Sequence, residues 1–161
     1  MLKKVFAVMS ACIIAVCSFA AVACAKTSEE VDRHLQYRED GTFTIMQISD
    51  IQDFFFMRAP TKKLLKAALE NTDPDLIVLT GDNISSSSLT MGSAAMAISQ
   101  FMTVLEKYGV PVVITFGNHD DENTLASKEL QVKMYEQYSV FAGCAGEDFG
   151  DTNLCTYYVP I

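Results

Sequence analysis

The sequence predicts an α/β protein built on a mainly parallel sheet with flanking helices. Three observations predict it. Short apolar runs of strand length alternate with longer segments of helical periodicity. The central runs are uninterrupted rather than alternating, the pattern of strands covered on both faces. Half of the residues are apolar, enough for a sizeable core. At 161 residues the chain has room for one such domain.

The elements follow in order. Residues 1–25 are not fold: Lys3 and Lys4 precede an uncharged stretch that reaches Ala25. That is the layout of a secretory signal, with small residues for cleavage at Ala21, Ala23 and Ala25. The stretch is also long enough to stay as a membrane anchor, and Ala21-Val22-Ala23-Cys24 resembles a bacterial lipoprotein cleavage box. Every version exports the chain to the periplasm, cell surface or medium. Residues 26–41 read as a polar linker that contains His34, and residues 42–161 as the folded domain.

Within the domain, residues 42–49 (TFTIMQIS) read as the first strand. Residues 60–71 read as a helix with Leu64, Leu65, Ala68 and Leu69 on one stripe, ended by Asp73-Pro74. Residues 76–80 (LIVLT) form a second strand. Residues 93–108 form a helix with Ile98, Phe101, Met102 and Leu105 inward and Gly109 as its stop. Residues 110–116 (VPVVITF) form a third strand, and residues 124–138 a helix with Leu130, Met134 and Tyr138 inward. Strands separated by helices imply parallel pairing through right-handed crossovers. Residues 85–88, four serines, read as a surface loop, and residues 156–161 (TYYVPI) as a further strand on which the sequence stops.

Charge narrows the function. Twelve basic against 20 acidic residues give a net charge of -8, so no basic surface offsets a nucleic-acid backbone. Acidic clusters are compatible with phosphorylated substrates when cations occupy the site. Of the five cysteines, Cys12, Cys17 and Cys24 lie in the leader, and Cys144 and Cys155 form an even pair suited to a disulfide after export.

The chemistry sits at the strand ends. The first strand runs into Asp50-Ile51-Gln52-Asp53, the second into Gly81-Asp82-Asn83, and the third into Gly117-Asn118-His119-Asp120. In open α/β sheets, ligands bind outside the carboxyl ends of the strands. Carboxylate, amide and imidazole groups gathered there suit hard or borderline divalent cations. Two cations about 3.5–4 Å apart would clamp the attacking and leaving oxygens of an in-line displacement. Taken singly these residues are bland: a strand-end aspartate usually caps a turn, and Asp53 and Asn83 suit loop capping as well as ligation. Phe54-Phe55-Phe56 reads as core beneath the site, and Asp121 and Glu122 as solvated helix-start residues.

The three motifs together resemble the calcineurin-like metallophosphoesterase superfamily, whose pattern is Asp-x-His, Gly-Asp and Gly-Asn-His-Asp/Glu. The words IMQISDIQD and YYVPI are similar to its purple-acid-phosphatase-related branch. The resemblance implies hydrolysis of phosphoesters by a metal-activated hydroxide, with two divalent ions (manganese, iron or zinc). It implies Asp50, Gln52, Asp82 and Asn118 as metal ligands, with Asp82 bridging. It implies His119 as proton donor to the leaving group and Asp120 as the residue orienting its imidazole. Substrates would be phosphorylated small molecules or proteins. Gln52 stands where the family has histidine. The family's distal histidines are absent, since His34 and His119 are the two in the chain. The expectation is therefore the N-terminal half of a metallophosphoesterase α/β sandwich, with a non-catalytic metal- or phosphate-binding module as the alternative.

Overall fold

The computed structural model describes residues 35–53, 56–85, 90–122, 125–143, 155 and 161. The leader, most of the linker, His34, Cys144 and residues 156–160 lie outside the described residues. Among the described residues, four strands and three helices alternate: β1 (Ile45–Ile48), α1 (Ala59–Thr72), β2 (Leu76–Leu79), α2 (Met91–Glu106), β3 (Val112–Ile114), α3 (Lys128–Tyr135) and β4 (Phe141–Gly143). The strands form one sheet in the order β1-β2-β3-β4. All three pairings are parallel, as the alternation predicts. β4 was not foreseen; its three residues are too few to carry a period of two.

The inner strands bury themselves as their composition demands. Ile77, Leu79, Val112 and Ile114 pack with Leu65 and Leu69 of α1 and Ile98, Phe101, Met102 and Leu105 of α2. Each such side chain contributes roughly 1.5–3 kcal/mol by leaving water. In α1 the predicted stripe is wider than the buried face: Leu65 and Leu69 are buried, whereas Leu64 is 72% exposed. Helix geometry turns adjacent residues by about 100°, so with Leu65 buried its neighbour Leu64 falls at the rim of the buried face. Asp73 closes α1 in the left-handed region (φ 43°), where its N–H reaches Leu69 O, consistent with a residue kept out of the helical region by Pro74.

α2 starts two residues before the predicted position because the Thr90 hydroxyl accepts the Ser93 N–H at 3.3 Å. α3 is shorter than predicted and differently phased. Gln131 and Tyr135 are its fully buried residues, while Leu130, Met134 and Tyr138 are only partly buried. A glutamine takes an inward position because its amide is satisfied there: Nε2 donates to Asp120 O at 2.5 Å and to Ala126 O at 2.9 Å.

The other face of the sheet carries a smaller cluster of Leu35, Leu76 and Val113, with Phe43, Val78 and Ala142 against it. The end of the predicted linker is thus part of the domain. Arg38 holds it there, donating from Nε to Asp75 at 2.8 and 3.0 Å. Cys155 is buried and disulfide-bonded.

Candidate active site at the carboxyl edge of the sheet

Parallel, in-register strands bring their carboxyl ends side by side, so the three motifs meet at one edge. Backbone bonds knit them: Asp50 N–H donates to Gly81 O at 3.2 Å and Gln52 N–H to Asp82 O at 3.3 Å. The residues there adopt a conformation that side chains rarely tolerate. Asp50 (φ 56°), Gln52 (φ 38°) and Asp82 (φ 52°) are all in the left-handed region. Such strain costs on the order of 1 kcal/mol per residue and persists where surrounding structure enforces it, commonly at functional sites. Three of the four predicted metal ligands share this property.

Two glycines make the approach of the second and third motifs possible. A Cβ on Gly81 would lie 2.5 Å from Gly117 N, and a Cβ on Gly117 would lie 2.1 Å from Asp82 Oδ1 and 2.5 Å from Asp82 N. Neither glycine admits a side chain without moving the loop opposite.

Asp82 sits at the centre. One carboxylate oxygen accepts the His119 backbone N–H at 3.0 Å, and the other accepts Gln52 Nε2 at 3.1 Å. One carboxylate therefore joins all three motif loops. Asp50 is exposed, with the Ser49 hydroxyl on its carboxylate, and Asn118 is exposed. Gln52 turns its amide nitrogen toward Asp82, which leaves Oε1 as the atom with which it could ligate. Among the described residues, no group of three or more Asp, Glu, His and Cys side chains gathers at metal-binding range. What the edge does offer is a carboxylate and an amide in contact, flanked by Asp50 and Asn118. Those oxygen donors fit part of a hard-cation site.

The expectation for Asp120 does not match its contacts. Its side chain is fully buried, and its hydrogen bonds go to backbone N–H groups instead of the imidazole. It accepts four backbone N–H groups: Asp82 at 2.9 Å, Asn83 at 2.7 Å, Ile84 at 3.0 Å and Gly117 at 2.7 Å. A short side chain can reach either the amides converging beneath the loop or the ring above it, and four donors outcompete one. Burial pushes the Asp120 carboxyl up, against the pull of those N–H groups.

The partner of the imidazole is a residue that sequence reasoning assigned to solvent. Glu122 Oε2 lies 2.6 Å from His119 Nδ1. That hydrogen bond is the largest influence raising the pKa of His119, followed by burial acting the other way and by the charge of Asp82. The spacing of three from His119 to Glu122 was the available signal. Asp53 and Asn83 are structural. Asp53 accepts the Arg58 N–H at 2.9 Å and its Nε at 2.5 Å. Burial pushes the Asp53 carboxyl up, but Arg58 holds it below the usual range. Asn83 is buried and donates to Thr115 O at 3.1 Å.

This fold and this edge are those of a known class. The calcineurin-like phosphoesterase pattern matches residues 43–159, and the chain belongs to that family. Two of the relatives it matches carry purple-acid-phosphatase names. "Probable inactive purple acid phosphatase 28" of Arabidopsis thaliana is 35% identical over 112 residues, covering 60% of this chain and 28% of the relative. "Probable inactive purple acid phosphatase 14" of the same plant is 28% identical over 114 residues, covering 61% and 28%. An uncharacterized protein of Schizosaccharomyces pombe is 32% identical over 96 residues, covering 60% and 18%. The match therefore spans less than a third of these relatives' lengths. No solved structure matches the chain.

Proposed function

We propose that the parent protein hydrolyses phosphoesters with the help of divalent cations, and that this chain supplies the Asp82-centred part of the site. The observation that carries the reading is Asp82 itself, a strained carboxylate in contact with both neighbouring motif loops. Asp50, Gln52, Asp82 and Asn118 would hold the cations, whose identity among manganese, iron and zinc is open to the donors present. Bound there, divalent cations supply Lewis-acid polarisation of the phosphoryl oxygens and an activated water.

The chain's own residues do the rest. Asp120 fixes the second motif against the third, so Asp82 and His119 keep one relative position. Glu122 accepts from His119 Nδ1, which orients the ring and favours its protonated form, the form that carries a proton at Nε2 for the departing oxygen. Asn118, exposed beside them, has an amide to offer a phosphate oxygen. Export and a phosphorylated small-molecule or protein substrate complete the proposal, resting on the leader sequence and the family respectively.

The word "inactive" in two relatives' names, together with Gln52 in a histidine position, favours one competing reading: a metal- or phosphate-binding module without turnover. Metal-stripped protein, supplied in turn with manganese, iron or zinc and an aryl phosphate, separates the two. Hydrolysis restored by one metal and abolished in Asp82→Asn supports the enzyme. Tight metal binding with no turnover under any metal supports the module.

A further inference from the structure

A cleft of about 790 Å³ opens beside Asp50, between β1 and α1. Its volume falls in the range of small-molecule sites. One wall is β1 and the loop it enters, from Met46 to Ile51; the other is one face of α1, with Thr61, Leu64, Leu65 and Ala68 at helical spacing. Because α1 follows the loop leaving the carboxyl end of β1, the start of the helix and Asp50 lie at the same end. The cleft therefore has a polar end, with Ser49, Asp50, Arg58 and Thr61, and an apolar end, with Met46 and Ala68.

Arg58 is a prepared cation there. Its Nε is held by the buried Asp53 at 2.5 Å, while the side chain remains 75% exposed. A guanidinium carries five N–H donors, so the terminal groups remain available for a planar oxyanion. Leu64, 72% exposed on the cleft wall, has no packing role in the core and is placed to meet an apolar ligand.

We infer that this cleft binds the organic part of a phosphoester with an aryl or similarly bulky apolar alcohol, with the phosphate held by the terminal N–H groups of Arg58 at the polar end. This rests on the phosphoesterase reading for its biological sense but is tested without turnover. The full chain carrying ¹³C-methyl methionine is titrated with 1-naphthylmethylphosphonate, which cannot be hydrolysed at a phosphoester bond. Met46 and Met57 line the cleft, while Met91 and Met96 lie on α2.

Saturable shifts confined to Met46 and Met57 are expected. Arg58→Gln should weaken binding about 10-fold or more, the loss of a charge-assisted hydrogen bond. Leu64→Asp, a surface change that leaves the core untouched, should weaken it as well, and naphthylmethanol should bind less well than the phosphonate. Unmoved Met46 and Met57 resonances would overturn the inference, and so would equal affinity for phosphonate and alcohol. Shifts that depend on protein concentration without ligand would instead mark the cleft as a contact between two copies. Binding without hydrolysis under any metal would leave the cleft standing and remove the hydrolase; hydrolysis without these shifts would do the reverse.

Discussion

The carboxylate of Asp120 accepts the backbone N–H of Asp82 at 2.9 Å, so the last residue of the third motif fixes the central residue of the second. Three further N–H groups converge on the same carboxylate. Asp120 is thus the keystone of the edge rather than a partner of the imidazole.

Asp120→Asn places an amide nitrogen among backbone donors and leaves some of them unpaired. Each buried donor left without a partner costs about 1–3 kcal/mol, so a loss of roughly 2–5 kcal/mol is expected. Urea unfolding measures it, as a lower midpoint with an unchanged slope.

Gly117→Ala and Gly109→Ala separate steric from torsional cost. At Gly117 the new methyl meets Asp82 within 2.5 Å, whereas at Gly109 (φ +68°) nothing lies within 4 Å. Gly109→Ala should cost about 1 kcal/mol through backbone strain alone. Gly117→Ala should cost more, about 1–3 kcal/mol, and should shift the Asp82 and His119 amide resonances, which Gly109→Ala leaves in place.

Acid should loosen the segment before β1. Burial pushes the Asp75 carboxyl up, but the Thr44 N–H at 2.7 Å and Arg38 outweigh it and hold the pKa below the usual value. A folded pKa below the unfolded one contributes stability above the unfolded value, about 3.9, and loses it as pH falls through the depressed folded value. Asp75→Asn should therefore flatten the decline in stability below about pH 4 while lowering stability at pH 7. Thermal unfolding across that range reads both effects.

Much of this was legible in the sequence because the relevant signals are local. Uninterrupted runs such as LIVLT, the stripe from Ile98 to Leu105 and the order of the three motifs each announce themselves within a few residues. What stayed hidden depends on distant partners. Nothing near Leu35 or Arg38 reveals that they dock on Leu76 and Asp75. Gln131 reads as polar and outward until the carbonyls of Asp120 and Ala126 are seen to receive it. Glu122 instead of Asp120 meets the imidazole for the same reason, since the Asp120 carboxylate is taken by three amides of the second motif loop and one of its own.

The central claim is that loops from three strands form one cation site around Asp82. Paramagnetic broadening by substoichiometric Mn²⁺ tests it most directly. The account predicts that the side-chain amide signals of Gln52 and Asn118, from different loops, broaden together with the His119 ring, and that Asp82→Asn abolishes the effect. Broadening of one loop alone, or broadening that survives Asp82→Asn, would contradict it.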